Sequence, residues 1–313
     1  MKELSIVITV LDEQDNVSAL SEKIRSALSQ FTYEVIWVDD GSIDNTAANI
    51  KKFSDAHTRL VSLTRNFGQT AALSAGIDMA EGEYIVTMDG DLQNNPEDVP
   101  GMLQMLKQEG WDVVAGFRKN RKDGIFRTIP SKFANRLIRN ITGVTVRDYG
   151  CSLKVFKSSF AKNLGLYGEL HRFIPILAAI QGARITDMEV SHSPRIHGKS
   201  KYGIGRTFKV MSDLMLILFF QKYFRRPIHF FGPLGMVTFA AGAVISLTLL
   251  ADKLMGHDIW GRPLLILGVF LVLAGIQFLT FGLIAELMMR IYYESQNKKT
   301  YSVKETFFGK AQQ

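Results

Sequence analysis

Two long apolar runs near the end of the chain limit what this sequence can fold into. Residues 230–251 and 264–285 hold 22 residues each and contain no Asp, Glu, Lys or Arg. As a helix, each run would be about 33 Å long, enough to cross the hydrocarbon core of a membrane. A pair of buried core helices is the alternative. The length and spacing of the runs favour a two-helix transmembrane hairpin over residues 230–285.

Basic residues flank this predicted hairpin on both sides. They are Arg206, Lys209, Lys222, Arg225 and Arg226 before it, and Arg290, Lys298, Lys299 and Lys304 after it. The loop between the runs has only Lys253 and Arg262. The positive-inside rule therefore predicts a multi-pass protein of the cell (inner) membrane, with both termini in the cytoplasm. Residues 203–229 are amphipathic and predict an interfacial helix that contacts membrane lipids, and residues 286–313 predict a cytosolic tail.

Short apolar runs alternate with amphipathic stretches through residues 1–202. The predicted strands are 4–10, 33–38, 60–63, 84–88 and 113–116, with a further strand over 148–156. The predicted helices are 16–30, 45–56, 70–80 and 99–109. This alternation predicts an α/β domain with a mainly parallel, doubly wound sheet, whose ligands bind at the carboxyl ends of the strands.

Carboxylates follow three of the predicted strands. The first strand runs into Asp12 and Glu13, the second into Asp39 and Asp40, and the fourth into Asp89 and Asp91. Turn and cap roles are the alternative, and we favour them for Ser42 and Asp44. Converging carboxylates repel each other, so Asp40, Asp89 and Asp91 predict a site for a hard divalent cation and a diphosphate.

Several other classes of protein are disfavoured. The chain has no Walker-type phosphate loop and no glycine fingerprint after the first strand, which argues against an ATPase and a dehydrogenase. The net charge is +7, and basic residues flank the apolar runs. The rest of the chain lacks the interleaved basic and aromatic residues that are typical of a nucleic-acid-binding surface, so no nucleic-acid partner is expected. The single Cys151 excludes an internal disulfide. His229 and His257 lack partner ligands and are predicted to be structural.

Two basic segments are candidates for holding anions. Arg118 follows the fifth strand directly, and Arg127 lies one turn before Ser131 at a predicted helix start. A loop over residues 193–203 carries Arg195 and Lys201 among glycines. It is predicted to be a lid over an anionic substrate, with a solvated linker as the alternative.

An ordered set of motifs resembles glycosyltransferase family 2, and within it the polyprenyl-phosphate glycosyltransferases. The matching segments are Val-Asp-Asp-Gly-Ser at 38–42, Arg-Asn-Phe-Gly-Gln at 65–69, Asp-Gly-Asp-Leu-Gln at 89–93, Asp-Tyr-Gly-Cys at 148–151 and Arg-x-x-Gly-x-Ser-Lys-Tyr at 195–202. Any one of them is a weak signal, but together they cover most of the first 205 residues. The two apolar runs match the membrane-anchored members of this family.

The resemblance implies a GT-A fold, an inverting metal-dependent hexosyltransferase, and Mg²⁺ or Mn²⁺ as cofactor. By motif, Val10, Glu13 and Asp40 would contact the nucleoside. Asp89, Gly90, Asp91 and Gln93 would form the metal and ribose end, Arg118, Arg127 and Ser131 would hold phosphates, and Arg195 and Lys201 would act on the closing loop. The chain has Leu11 and Asp12 where the family usually has Tyr and Asn. The nucleotide therefore stays open, as does the sugar.

The expected reaction moves a sugar from a UDP- or GDP-sugar to a polyprenyl phosphate, undecaprenyl or dolichyl, at the cytosolic leaflet. A processive polysaccharide synthase is the second reading, but its Gln-x-x-Arg-Trp motif is missing: Trp37, Trp111 and Trp260 all lack a preceding Arg. A third reading is a non-catalytic membrane scaffold that binds nucleotide sugars. Two spans make a small membrane domain, which is compatible with a homo-oligomer.

Overall fold

The computed structural model describes residues 2–118, 139, 143–166, 168, 170–194, 228–295 and 303–308. The chain divides into two compact units. One unit comprises Met1–Leu214 with Lys299–Gln313, and the other comprises Met215–Lys298. Most of the segment predicted to lie at the membrane interface, residues 203–227, is outside the described residues.

The first unit is organised around one eight-stranded mixed sheet. Its strands are β1 (Leu4–Val10), β2 (Tyr33–Asp39), β3 (Thr58–Leu63), β4 (Tyr84–Asp89), β5 (Val113–Phe117), β6 (Lys154–Lys157), β7 (Ile185–Glu189) and β8 (Val303–Phe308). Their order is β7-β5-β6-β4-β1-β2-β3-β8. The block β4-β1-β2-β3 is parallel throughout, so the ends of these strands meet at one edge. β6 and β8 run antiparallel to their neighbours.

Helices cover both faces of the sheet, as the alternating pattern predicts. They are α1 (Val17–Ala27), α2 (Thr46–Lys52), α3 (Gln69–Met79), α4 (Asp98–Gln108), α5 (Ser158–Ala161) and α6 (Ile174–Ile180), with a 3₁₀ helix over Leu170–Phe173. Because side chains alternate along β1, Ile6 and Ile8 pack in the core with Leu20 of α1. Val7 enters the opposite core with Ala72 of α3. The doubly wound architecture is thereby confirmed.

Two predictions for the first unit need correction. The strand predicted over 148–156 begins only at Lys154. Before it, the Tyr149 hydroxyl donates to the Val144 carbonyl and the Gly150 N–H donates to Asp148 Oδ1, so the backbone turns to make these bonds. The C-terminal segment, predicted to be a tail, contains β8, which pairs with β3. An edge strand such as β3 presents unpaired backbone groups that a later segment can satisfy.

The second unit contains a closely packed pair of helices, α7 (Ile228–Leu254) and α8 (Pro263–Ser295). Both are long and apolar enough to cross a membrane, and their most apolar stretches are only 17% and 11% buried. A core pair in a soluble protein would be covered, so this exposure disfavours the alternative reading. A Cβ on Gly242 would lie 2.6 Å from the backbone nitrogen of Val272, and one on Gly275 would lie 2.6 Å from that of Phe239. Glycine therefore allows the two backbones to approach.

Candidate active site

A cavity of about 320 Å³ opens at the carboxyl ends of β1, β2 and β4. It is lined by Thr9, Val10, Leu11, Glu13, Asp40, Asn66, Gly68, Gln69, Ala72, Asp89, Gly90, Asp91 and His171. The cavity lies at the sheet edge where the sequence predicts ligands to bind. It brings together the carboxylates that follow three separate strands.

Asp89 and Asp91, one residue apart at the end of β4, both line this cavity. Burial raises the pKa of Asp89 to about 6, and the negative charge of Asp91 adds to that rise. Gly90 between them is required, because a Cβ there would lie 2.3 Å from Cγ1 of Val10. Leu92 follows with a φ of +62°, a conformation that non-glycine residues rarely adopt. The backbone therefore turns sharply at this pair.

Polar groups from three other segments surround Asp89. The Gln69 amide at the start of α3 donates to its Oδ1 at 2.7 Å. The nearby Ser152 hydroxyl and the charges of Lys154 and Arg118 act against the rise in its pKa. Lys154 itself is only 2% exposed and donates to the carbonyl of Cys151. A buried positive charge therefore lies close to the half-buried carboxylate of Asp89.

Asp40 fixes the loop that leads into α3. Its two carboxylate oxygens accept hydrogen bonds from the backbone N–H groups of Phe67 at 2.7 Å and Gly68 at 2.9 Å. The next residue, Gly41, has a φ of +78°, and a Cβ there would lie 2.5 Å from the backbone carbon of Arg65. Burial raises the pKa of Asp40, although the two N–H donors oppose this. Asp40 therefore has a structural role in addition to lining the cavity.

Glu13 is held at the cavity by bonds between the loops that follow β1 and β2. Its backbone N–H donates to Thr46 Oγ1 at 2.8 Å, and its Oε2 accepts from Asn16 at 2.6 Å. The Ser42 hydroxyl accepts from the N–H of Asp12, and Asp44 accepts from the N–H of Thr46, each within 2.9 Å. The structural roles predicted for Ser42 and Asp44 are confirmed.

His171 lines the cavity, and the sequence reasoning missed it. Its Nδ1 lies 2.8 Å from the Thr70 hydroxyl, in the first turn of α3. Burial, together with the charges of Arg172 and Lys154, lowers the pKa of His171 to about 3, so the imidazole is neutral at physiological pH. His171 lies between β6 and β7, away from any strand end. A search of strand ends could therefore not find it. Gln69 was part of a recognised motif, but no role was predicted for it.

The predicted phosphate-binding residues are placed only in part. Arg118 makes two bonds to the largely buried carboxylate of Asp148, at 2.7 and 3.2 Å, and is absent from the cavity lining formed by described residues. Gln93, predicted as a metal ligand, also does not line it; its backbone N–H donates to Asp91 Oδ1 at 3.2 Å. Arg127, Ser131, Arg195 and Lys201 lie outside the described residues.

The donor atoms around Asp89 and Asp91 suit Mg²⁺ or Mn²⁺, which prefer oxygen ligands. A divalent cation would also relieve the repulsion that raises the pKa of Asp89. Within the described ranges, no group of three or more His, Cys, Asp and Glu residues is close enough to hold a metal ion. Mg²⁺ is typically bound by one or two carboxylates together with substrate phosphates, and the two aspartates fit that arrangement.

Two curated relatives align with nearly the whole chain. Dodecaprenyl-phosphate galacturonate synthase from Rhizobium johnstonii is 46% identical over 319 residues, covering 99% of this chain and 94% of the relative. Undecaprenyl-phosphate 4-deoxy-4-formamido-L-arabinose transferase from Serratia proteamaculans is 34% identical, covering 97% of this chain and 94% of the relative.

Solved structures agree with the fold. Glucosyl-3-phosphoglycerate synthase from Mycobacterium tuberculosis, in complex with Mn²⁺ and UDP-glucose, superimposes with a TM-score of 0.55 at 18% identity, covering 70% of this chain and 79% of that one. This likeness supports a GT-A fold for the first unit. The family model for glycosyl transferase family 2 matches residues 5–165, which contain β1 to β6 and the aspartates of the cavity. With this match and relatives of such high identity, the chain belongs to glycosyl transferase family 2.

Proposed function

We propose that the protein transfers a sugar from a nucleotide-sugar, UDP- or GDP-linked, to a polyprenyl phosphate, with inversion at the anomeric carbon. The observation that carries the proposal is the cavity at the strand ends, which is lined by Asp89 and Asp91 together with Glu13 and Asp40. The relatives that cover almost the whole chain are named for polyprenyl-phosphate products or acceptors. The product would be a lipid-linked sugar for use in cell-envelope glycans or protein modification.

The donor would lie across the cavity in the order of the strands. The nucleoside would bind beside Val10, Glu13 and Asp40, at the ends of β1 and β2. The diphosphate would lie at Asp89 and Asp91, at the end of β4. These two carboxylates would hold Mg²⁺ or Mn²⁺ together with diphosphate oxygens, with Gln93 as a further candidate ligand. When bound, the cation would neutralise negative charge on the departing diphosphate.

The acceptor needs no general base. A phosphomonoester is already an anion at neutral pH, since its second pKa is about 6. One of its oxygens would form the new bond to the anomeric carbon as the bond to the nucleoside diphosphate breaks. No proton has to be transferred, and the leaving group departs as the nucleoside diphosphate. Catalysis would therefore come from orientation and charge stabilisation.

Cationic residues would stabilise the phosphates during this step. We propose Arg118, Arg127 and Ser131 for phosphate contacts, and Arg195 and Lys201 on the loop that closes over the substrate. Arg118 would act beside its partner Asp148, which fixes the guanidinium through two hydrogen bonds. Burial raises the pKa of Asp89, and the positive charge of Arg118 partly opposes that rise.

We also propose that α7 and α8 cross the inner membrane as a hairpin with the catalytic unit in the cytoplasm. β8 follows α8 in the chain and pairs with β3 of the catalytic sheet. Segments on both sides of the helix pair therefore belong to one folded unit, which requires an even number of crossings. The polyprenyl tail of the acceptor would stay in the bilayer, and only its phosphate would have to reach the cavity.

Lipid extraction after incubation with radiolabelled donors tests the proposal. The purified protein, undecaprenyl phosphate and Mn²⁺ would be combined with a panel of UDP- and GDP-sugars. A labelled lipid phosphate sugar is the expected product. A labelled polymer would identify a processive synthase instead, and donor binding without any product would identify a scaffold.

Asp91→Ala is the matching active-site variant. Transfer should fall at least about 100-fold, because the cation loses a protein ligand and no longer stabilises the charge of the departing diphosphate as well. Thermal unfolding in detergent should change little, since the lost acceptor of the Gln93 N–H is offset by removal of a charge that repels Asp89. Asp78→Asn, an exposed carboxylate at the far end of α3, is the control. Wild-type turnover by Asp91→Ala with metal present would contradict the assignment.

A further inference from the structure

His171 is the one titratable residue lining the cavity that has no part in the reaction proposed above. It shares the cavity with Asp89 and Asp91 but belongs to a different part of the chain, the 3₁₀ helix Leu170–Phe173. A phosphate acceptor needs no base, so deprotonation of the acceptor cannot be the reason for its position. Its geometry and charge indicate a binding role.

The ring of His171 is held in place by α3. Thr70, which is only 2% exposed, lies with its hydroxyl 2.8 Å from Nδ1. The preceding residue, Gln69, donates its amide to Asp89. Two consecutive residues of one helix thus fix the imidazole and the carboxylate that faces the diphosphate. The distance between these two groups is set by the helix rather than by a mobile loop.

The available nitrogen of this ring suits an uncharged polar ligand. Nδ1 is engaged by Thr70, and Nε2 makes no hydrogen bond to any residue that the structure describes. The imidazole is neutral, because burial keeps its pKa at about 3. A phosphate would favour a cationic partner such as arginine. A sugar hydroxyl can donate or accept and is matched by a neutral imidazole in either tautomer.

We propose that His171 Nε2 hydrogen-bonds a ring hydroxyl of the donor sugar and thereby positions its anomeric carbon. The inference rests on the proposed function. With the nucleoside at the β2 side and the diphosphate at the end of β4, the sugar lies beyond the diphosphate. His171 is near that side of the cavity, since the charge of Lys154 in β6, the strand next to β4 and away from β1 and β2, acts on its ring. His171 is therefore assigned to recognition of the sugar and not of the nucleotide.

Calorimetry that compares nucleotide-sugars with nucleoside diphosphates distinguishes recognition of the sugar from recognition of the nucleotide. Binding in the presence of Mn²⁺ is measured for UDP-glucose, UDP-galacturonate and GDP-mannose, and for UDP and GDP, on the full-length protein in detergent. For the tightest nucleotide-sugar, His171→Ala should weaken binding about five- to tenfold, the effect of one lost hydrogen bond. Binding of the corresponding nucleoside diphosphate should stay within twofold of wild type, which also shows that the variant is folded.

Two further variants sharpen the test. Thr70→Val hardly changes the side-chain volume but removes the hydroxyl that fixes the His171 ring. It should cause a smaller loss of affinity, which is again seen for the nucleotide-sugar and not for the nucleoside diphosphate. His57→Ala is the control, because His57 is exposed and lies at the amino end of β3, opposite to the strand ends that form the cavity. It should change the affinity neither for the nucleotide-sugar nor for the nucleoside diphosphate. Equal losses for the nucleotide-sugar and the nucleoside diphosphate, or no loss for either, would overturn the role of His171. A wild-type protein that binds no nucleotide at all would overturn the proposed function and this inference with it.

Discussion

Asp89 and Asp91 repel each other, and the surrounding protein offsets this only in part. Burial and the charge of Asp91 raise the pKa of Asp89 to about 6, against an ordinary value near 3.9. Gln69 donates to Asp89, and the buried ammonium of Lys154 attracts it. Such an arrangement leaves negative charge that the proposed divalent cation would neutralise. Preorganised charge of this kind is common at active sites.

The raised pKa of Asp89 predicts how metal binding depends on pH. A cation binds the ionised carboxylate, so the apparent affinity for Mn²⁺ in the presence of UDP should fall below pH of about 6, by up to tenfold per pH unit. Calorimetric titrations at pH 7.5, 6.5, 5.5 and 5.0, with buffer protonation corrected, would measure this. An affinity that stays constant down to pH 5 would contradict the prediction.

The stability of the metal-free protein should change in the opposite direction. The folded state holds a proton on Asp89 more tightly than the unfolded state does, so this group adds stability as pH falls from about 6 to about 4. Asp91→Asn removes the neighbouring charge and should reduce this gain. Thermal melts of both forms across that pH range provide the comparison.

At the scale of elements, Asp40 connects the end of β2 to the start of α3. Its carboxylate is the acceptor for the N–H groups of Phe67 and Gly68. Asp40→Ala would leave these two donors without their acceptor and should destabilise the fold by about 2–4 kcal/mol. Asp40→Asn keeps one acceptor oxygen and should cost about half as much.

Thermal unfolding in detergent would show this as a drop in Tm of roughly 5–10 °C for Asp40→Ala. Asp15→Ala, an exposed carboxylate on the neighbouring loop, is the control and should shift Tm by less than about 2 °C. Equal behaviour of the two alanine variants would show that Asp40 does not hold the loop.

The approach of α7 and α8 depends on glycine at defined positions. A Cβ on Gly242 would lie 2.6 Å from the Val272 nitrogen, whereas one on Gly232 would meet only Ile228 at 3.8 Å. Gly242→Ala should therefore destabilise the helix pair by about 1–3 kcal/mol, despite the better helix propensity of alanine. Gly232→Ala should be neutral or stabilising. Thermal unfolding of both variants in detergent distinguishes a packing requirement from a general preference for glycine.

At the scale of the whole molecule, the chain leaves the catalytic sheet, forms the helix pair and then returns to the sheet as β8. The basic residues on the outer flanks of the helix pair predict the same arrangement from charge alone. Sheet pairing and charge placement are independent observations, and both support the proposed hairpin with its two ends on one side of the membrane.

Thiol labelling in intact bacterial cells tests this topology. The native Cys151 is buried, so it gives little background. Asp258→Cys, in the loop between α7 and α8, should react with a membrane-impermeant maleimide before lysis. Gln108→Cys, exposed at the end of α4, should react only after lysis. Labelling of both positions, or of Gln108→Cys alone, before lysis would contradict a cytoplasmic catalytic unit.

Local patterns in the sequence were enough to predict the elements with strong periodicity and the carboxylates at their ends. β1, β2 and β4 match their predicted ranges to within one residue, because apolar runs of strand-forming residues are a local signal. Asp40, Asp89 and Asp91 line one cavity because parallel strands end at one edge. The helix pair followed from length and the absence of charge, which require no knowledge of tertiary contacts.

Which distant segments contact each other was established by the tertiary structure alone. It showed that β8 pairs with β3, that β6 runs antiparallel between β4 and β5, and that Asp40 accepts from the loop before α3. It also brought His171 to Thr70, 101 residues away in the chain. Such contacts leave no periodic pattern in the sequence, because they depend on chain packing over long separations. The carboxylates could therefore be predicted from the chain, while the neutral imidazole beside them could not.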